Sequence, residues 1–400
     1  MRNVIIHVPE WLTNTNNDPT AAQRAPSELT VIYFITGNPG LIGYYESFLK
    51  LLTEGTGRNS VVAGASLGGF EISQTTTADH SLENELLYPP LFTRKPVYDL
   101  QDQIDLTHER LRSLIHNLHV AYPNTRDLPV QVALLGHSVG AYIALEVVRL
   151  QHSGHTSHHY ASPPDFTISA TMLLTPTIID IAQSPSGRLA TPMLSNVPFF
   201  PALIQAGAGA LAGTIPLSWL MGLVSRVTGM KQGSGGLEAT VQFLRMAGAV
   251  KQALSLARCE MAEIGGTEWK EEVWGVSKES FGNELQGTQH LDGDAEEGDN
   301  KHIDADVTTS SGGIEETQAR KEVAWKAPKH YFLFAKQDHW VADATRDAIV
   351  EAMGSRATIV VDEPERGEKG LVHAWCLEQN GMVAEIVNGW LEEVLGRRPG

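Results

Sequence analysis

The stretch of twenty residues from Val130 to Arg149 constrains the fold more than any other part of the chain. Its first half is a short continuous apolar run, which is typical of a parallel strand buried on both faces. Its second half places apolar residues at helical spacing. Between the two halves lies a Gly-x-Ser-x-Gly sequence made by Gly136, Ser138 and Gly140. This order predicts a nucleophile elbow, a strained strand-to-helix turn that raises the serine hydroxyl above the sheet. A plain glycine-rich turn is the alternative.

A second apolar strand ends in a Gly-Asn-Pro-Gly turn at residues 37–40, about a hundred residues before the elbow. Such a sequence after a strand often marks a turn and nothing more. In hydrolases with a nucleophile elbow, however, the loop at this place supplies one backbone N–H of the oxyanion hole. Because Pro39 has no N–H, we expect Asn38 to be this donor, with Gly40 less favoured. The other donor is expected to be Val139, directly after the serine.

The remaining polar groups of a serine hydrolase come late in the chain. Asp338 follows the predicted strand that begins at Lys329, and His373 lies on the loop after the last predicted strand. The order Ser138, Asp338, His373 is that of the α/β-hydrolases. An isolated serine hydroxyl is a poor nucleophile at neutral pH. We therefore expect His373 to accept its proton and later deliver it to the leaving group, while Asp338 orients the ring.

Other residues compete for these two roles. Asp343 and Asp180 are alternative acids, and Asp180 follows the preceding strand, where some members of the fold keep their acid. His339 and His330 are alternative bases. Both histidines adjoin the strand of the acid and are predicted to be exposed loop residues that cannot fold back onto it. The first assignment is therefore favoured.

The chain has no Asp, Glu, Lys, Arg or His between Leu189 and Ser225. Within that interval, residues 197–224 form a largely apolar run of 28 residues interrupted by Pro201 and Pro216. A transmembrane helix needs about 20 apolar residues, whereas the interval between these prolines makes a helix of about 21 Å. A hairpin or helix pair lying in one lipid leaflet therefore fits better than a crossing helix. The alternative is a helical cap over the active site, and a cap could also dock on lipid.

Charge is distributed unevenly along the chain. Residues 260–322 hold 17 acidic and 5 basic residues, a local net charge of −12. The rest of the chain therefore carries only −5 of the total net charge of −17. Few apolar residues and many Gly, Ser and Asp predict a solvated linker there. Nucleic-acid binding is not supported, because no basic patch is present. The apolar run at the N-terminus is too short for a signal peptide and predicts an edge strand.

Two cysteines imply no disulfide framework and suit a reducing compartment. Four histidines between residues 152 and 159 lie among Gly and Ser, which is typical of a solvated loop rather than a metal site. We therefore expect neither a metal nor another cofactor.

Several of these motifs together resemble the lipid droplet-associated hydrolase family. They are the turn at residues 37–40 with Tyr44 and Tyr45, the elbow, Thr175-Pro176-Thr177-Ile178, Ser184-Pro185-Ser186-Gly187, and the segments around Asp338 and His373. The resemblance covers most of the chain except the acidic segment and the first twenty-odd residues. It implies a serine hydrolase of neutral lipid or sterol esters. It also implies attachment to lipid droplets and the cytosolic side of the endoplasmic reticulum membrane through residues 197–224.

The sequence therefore predicts an α/β-hydrolase fold with a mostly parallel sheet, helices on both faces, and an apolar helical insert between its sixth and seventh strands. Residues 1–185 would form the first part of the core, 186–259 the insert, 260–325 the acidic linker and 326–400 the second part of the core. The reaction would transfer an acyl group from a lipid ester to Ser138 and then to water. Two rivals stay open: a non-catalytic lipid-droplet scaffold with this fold, and a soluble esterase whose insert is only a lid.

Overall fold

The computed structural model describes residues 3–13, 26–71, 95–153, 165–197, 199–266, 327–364 and 367–396. The strands in these ranges are β1 (Val4–His7), β2 (Leu29–Ile35), β3 (Val61–Ala65), β4 (Val130–His137), β5 (Thr167–Leu174), β6 (Lys329–Ala335) and β7 (Ala357–Asp362). The helices are α1 (Glu10–Thr13), α2 (Glu46–Gly55), α3 (Leu100–Ala121), α4 (Val139–His152), α5 (Pro185–Asn196), α6 (Phe200–Thr214), α7 (Leu217–Thr228), α8 (Gly235–Arg245), α9 (Ala249–Glu263), α10 (Asp343–Met353) and α11 (Asn380–Val394).

All of these strands belong to one sheet, in the order β1-β3-β2-β4-β5-β6-β7. The edge strand β1 is antiparallel to β3, and the other pairs are parallel. Every residue of β2 is buried, as expected of a parallel strand covered on both faces. The register sets Ile35 opposite Gly136, and Gly136 opposite Leu173. The carboxyl ends of β2, β4 and β5 therefore lie side by side, and the loops that follow them meet.

Helices cover both faces of the sheet, as the sequence predicts. On one face, α3, α4 and α10 contribute buried side chains such as Leu111, Leu145 and Ile349 to the larger apolar cluster. On the other face, α2 and α11 contribute Phe48 and Val387 to a second cluster. The amphipathic spacing of these helices explains why each turns one side to the sheet.

Within the described residues, five helices, α5 to α9, form the insert. The insert lies between the fifth and sixth strands of the described sheet, not between the sixth and seventh, because seven strands are described and β5 leads directly into it. Its last helix, α9, extends to Glu263. The start of the predicted acidic linker, residues 260–263, is therefore the last turn of a packed helix. Residues 267–326 of that linker lie outside the described residues.

The insert exposes many large apolar side chains. Among its exposed side chains, Phe199 is 81% exposed, Leu189 77%, Val227 76% and Trp219 75%. We call the following residues the apolar surface: Leu189, Met193, Val197, Phe199, Leu203, Ile204, Leu217, Trp219, Leu223 and Val227. The inner sides of α6, α7 and α8 instead bury a small cluster of their own that includes Leu220 and Val224.

The helices that could contribute to a membrane crossing are α5 and α6. Within the described ranges, no single helix has the length and apolar character needed to cross a membrane. By length and composition, α5 and α6 would suffice only as a pair, and they meet at a bend of 99°.

Candidate active site

Ser138 occupies the turn between β4 and α4, with φ 54° and ψ −124°. This left-handed conformation is strained for a residue other than glycine. The flanking glycines are required by close backbone contacts. A Cβ on Gly136 would lie 2.3 Å from the carbonyl oxygen of Gly140, and a Cβ on Gly140 would lie 2.4 Å from that of Ile35. The predicted Gly-x-Ser-x-Gly turn therefore has the geometry of a nucleophile elbow.

The structure brings Ser138, His373 and Asp338 into one hydrogen-bonded chain. His373 Nε2 lies 3.0 Å from Ser138 Oγ, and His373 Nδ1 lies 2.9 Å from Asp338 Oδ2. The other carboxylate oxygen, Oδ1, accepts the backbone N–H of Trp340 at 2.7 Å. Burial by itself would raise the pKa of Asp338, but the bonds from His373 and Trp340 and the charge of the His373 ring outweigh it and lower that pKa. Asp338 is thus set as a carboxylate facing the ring.

The alternative acids and bases have other surroundings. Asp343 pairs with Arg346 at 2.8 Å, and Asp180 precedes a short 3₁₀ turn in the left-handed conformation. His339 is exposed. The expectation that His330 is an exposed loop residue is wrong. It is a buried residue of β6, and its Nδ1 lies 2.7 Å from the Thr171 hydroxyl of the neighbouring strand, where its ring satisfies a buried polar group.

The Gly-Asn-Pro-Gly turn passes directly beside the elbow. A Cβ on Gly37 would lie 2.9 Å from Nδ1 of His137 and 3.1 Å from Cβ of Ser138, so glycine allows this close approach. Within the described ranges, neither the N–H of Asn38 nor that of Val139 donates a hydrogen bond. Their role as oxyanion donors stays a prediction.

Sequence analysis missed two residues that connect these loops. The Tyr45 hydroxyl accepts the N–H of Gly37 at 3.2 Å and donates to His137 Nδ1 at 2.7 Å. The opposite ring nitrogen, His137 Nε2, donates to the carbonyl oxygen of His373 at 2.9 Å. One chain of hydrogen bonds therefore runs from the Gly-Asn-Pro-Gly turn through the elbow to the loop of His373. No local signal identified it, because 236 residues separate the last two partners.

The His137 ring is neutral. Burial is the main cause, followed by the charge of the His373 ring, and together they lower the pKa of His137 to about 3. A neutral ring has one donor and one acceptor nitrogen. The Tyr45 hydroxyl occupies the acceptor and the His373 carbonyl occupies the donor, so both nitrogens are satisfied without a charge.

The Ser-Pro-Ser-Gly motif at residues 184–187 forms the N-terminus of α5, next to the loop that carries Asp338. The Ser184 hydroxyl accepts the N–H of Gly187 at 3.0 Å, and Pro185 occupies the first turn of α5, as is typical of an N-cap. The N–H of Ser186 donates to the carbonyl oxygen of His339 at 2.8 Å. The motif therefore connects the insert to the loop that carries Asp338.

In the part of the chain that the structure describes, no group of three or more His, Cys, Asp or Glu side chains could hold a metal ion. Most of the histidine-rich stretch at residues 152–159 lies outside the described residues.

The sheet is mostly parallel, and a serine occupies a strained strand-to-helix turn. An acid follows β6 and a histidine follows β7. This arrangement defines an α/β-hydrolase. Within that class, a family model of lipid-droplet associated hydrolases matches residues 28–282. The chain belongs to this family.

Curated relatives agree with the family match. The lipid droplet-associated hydrolase of Homo sapiens is 30% identical over 169 residues, which are 41% of this chain and 42% of that protein. The protein of the same name from Rattus norvegicus is 32% identical over 164 residues, again 41% of this chain and 42% of the relative. The match therefore spans less than half the length of these relatives.

Solved structures are similar only at the level of the fold. The peroxisomal alpha-beta-hydrolase Lpx1 from Saccharomyces cerevisiae has a TM-score of 0.47 and 11% identity, covering 94% of this chain and 80% of that one. An epoxide hydrolase from Vigna radiata has a TM-score of 0.45 and 13% identity, covering 92% of each chain.

Gly140→Ala tests the packing of the elbow. The new Cβ would meet the backbone of β2, so we expect the free energy of unfolding to fall by about 1–3 kcal/mol, as for other overpacked sites. Gly207→Ala is the matched control, because this exposed glycine of α6 has no atom within 4 Å of a new Cβ. The control should be neutral or stabilised by up to about 1 kcal/mol. Chemical denaturation measures both, and equal stabilities would contradict the contacts described above.

His137→Gln tests the neutral ring through the pH dependence of stability. An unfolded histidine has a pKa of 6.5, against about 3 in the folded protein. The unfolded chain therefore binds a proton that the folded chain does not, and stability falls as the pH falls below 6.5. Between about pH 6 and 4, the unfolding free energy of the wild type should fall by about 1.4 kcal/mol per pH unit more than that of the variant. Parallel curves for the two proteins would show that His137 is charged when folded.

Proposed function

We propose that this protein is a serine ester hydrolase that cleaves esters of the neutral-lipid or sterol-ester type through an acyl-enzyme on Ser138. The observation that carries the proposal is the chain of hydrogen bonds from Ser138 through His373 to Asp338. A serine hydroxyl becomes a nucleophile when a neighbouring base accepts its proton in the transition state. The lowered pKa of Asp338 keeps a carboxylate on the far side of the ring, where it stabilises the imidazolium that forms.

The reaction proceeds in two acyl transfers. Ser138 Oγ attacks the ester carbonyl carbon while its proton moves to His373 Nε2, and the carbonyl oxygen becomes an oxyanion. The N–H groups of Asn38 and Val139 would stabilise that charge. Collapse of this intermediate breaks the bond to the alcohol, which leaves with the proton held by His373. Water then repeats the attack on the acyl-enzyme, releasing the carboxylic acid and restoring Ser138.

The substrate class is argued from the apolar surface and the family. A water-soluble lid helix normally carries charged residues on its outer side, whereas α6 has none and exposes Leu203 and Ile204. Exposed apolar area is unfavourable by about 25 cal/mol per Å². We therefore propose that residues 197–224, with Leu189 and Val227 beside them, dock on a lipid-droplet monolayer or on the endoplasmic reticulum membrane. The name of the curated relatives supports the droplet.

Ser138→Ala tests the chemistry. Loss of the nucleophile should lower turnover of a short water-soluble ester by about 10⁴-fold or more. A fluorophosphonate probe should label the wild type and leave the variant unlabelled. Ser153→Ala, at the exposed far end of α4, is the matched control and should be labelled like the wild type. If the wild type is not labelled, the protein is a scaffold with a hydrolase fold rather than an enzyme.

A triple variant, Leu189→Asp with Phe199→Asp and Trp219→Asp, tests docking on lipid. All three side chains are exposed, whereas Leu220 is only 1% exposed and a charge there would disrupt the insert itself. Burying one such side chain contributes about 1.5–3 kcal/mol, so the variant should bind lipid at least about 100-fold more weakly. Flotation with triolein emulsions and with phospholipid vesicles measures binding and separates a droplet from a bilayer.

Val120→Asp is the control for docking, since Val120 is an exposed apolar residue of α3 outside the insert. It should float like the wild type, and both proteins should keep their turnover of a short ester. Flotation of the triple variant at the wild-type level would favour the soluble esterase whose insert is only a lid.

A further inference from the structure

The side chain of Asn38 is held by the insert. Its Nδ2 group donates to the carbonyl oxygen of Ala253 and to Oε1 of Glu260, each at 2.9 Å. Both acceptors belong to α9, more than two hundred residues further along the chain. The loop whose backbone is predicted to form the oxyanion hole is therefore fixed from the insert and not only from the core.

A buried glutamate such as Glu260 is unusual in a helix that packs on a core. Its side chain is 4% exposed, and burial raises its pKa to about 7, with the bond from Asn38 as the opposing factor. A buried carboxyl group reduces stability unless it is well paired. Asn38 is the side chain that binds it in the described structure.

Other contacts already attach α9 to the core. The Gln252 carboxamide accepts the N–H of Tyr98 at 2.9 Å and donates to its carbonyl oxygen at 2.8 Å. Leu256 of the same helix is fully buried in the main apolar cluster. Attachment of the helix therefore does not require an acidic residue at position 260, and the distinctive contact of Glu260 is the one with Asn38.

We infer that Glu260 is a positioning residue for the oxyanion hole. It holds the Asn38 side chain, so that the backbone N–H of Asn38 faces the carbonyl oxygen of an ester attacked by Ser138. The inference rests on the proposed serine hydrolase function and goes beyond it. The insert then supplies part of the active site in addition to any contact with substrate. A peptide group displaced by about 1 Å can lower a rate by about 100-fold.

The test compares Glu260→Met with Glu260→Gln, using a short water-soluble ester. Methionine has a similar size and suits a helix but has no strong acceptor, whereas glutamine keeps a carbonyl oxygen for Asn38. We expect kcat to fall by about 10- to 100-fold in the methionine variant with KM within about threefold. The glutamine variant should retain most of the wild-type kcat. The melting temperature of the methionine variant should be no lower than that of the wild type, because the buried carboxyl group is gone.

Asn38→Ala completes the test, because it removes the side chain and keeps the backbone N–H. Alone it should lower kcat about as much as Glu260→Met, and the double variant should be no slower than either single variant. Tyr44→Phe is the control. The Tyr44 hydroxyl joins the adjacent part of the same loop to Thr240 of α8 at 3.0 Å, and its removal should leave kcat near the wild-type value.

Several outcomes would overturn the inference. They are a wild-type kcat in Glu260→Met, additive losses in the double variant, an equal loss in Glu260→Gln, or a loss confined to KM. A wild-type protein that neither cleaves esters nor reacts with the fluorophosphonate probe would instead refute the proposed function, and this inference with it. A labelled, active wild type with an equally active Glu260→Met refutes the inference alone.

Discussion

The strained turn at Ser138 is the constraint on which the rest of the site depends. Its positive φ is strained for a serine, and the backbone around it is closely packed. Gly140 contacts the backbone of β2, and Gly136 contacts the backbone of α4. These contacts require β2 and β4 to be neighbours in the sheet, which the parallel register provides. The same adjacency brings the Gly-Asn-Pro-Gly turn beside Ser138, so one local strain and one strand order together place this turn close to the serine.

Loops rather than regular elements carry Ser138, Asp338 and His373, and buried hydrogen bonds hold those loops in place. Gly37, Tyr45, His137 and the backbone of His373 form one such chain. In a low-dielectric interior each bond is stronger than in water, and a missing partner is correspondingly costly. A neutral His137 suits this position because it joins a hydroxyl to a carbonyl without a buried charge. His137, the residue before Ser138, thus connects the elbow to the loop of His373.

The insert has two sides with opposite chemistry. Its inner helix α9 makes buried polar contacts with the core through Gln252 and Glu260. Large apolar side chains are exposed on its other helices and turns, such as Trp219 of α7 and Phe199 of the turn between α5 and α6. A lipid surface can cover the outer side without disturbing the inner one. If the proposed function holds, the same insert would bind the lipid surface and also hold the loop of Asn38 in position. Membrane binding and catalysis would then depend on one part of the chain.

Sequence by itself determined the elbow, the class of fold and the order of Ser138, Asp338 and His373, because these depend on short apolar runs, a glycine spacing and chain order. It also identified the apolar insert from its missing charges. It misjudged His330, and it did not single out Tyr45, His137 or Glu260 as residues that contact the site. Each of these is a polar residue whose burial and partner come from segments far away in the chain. Local periodicity reports which side of an element is apolar, but only the tertiary packing decides which distant polar groups meet, since a buried polar atom must find its partner wherever the fold provides one.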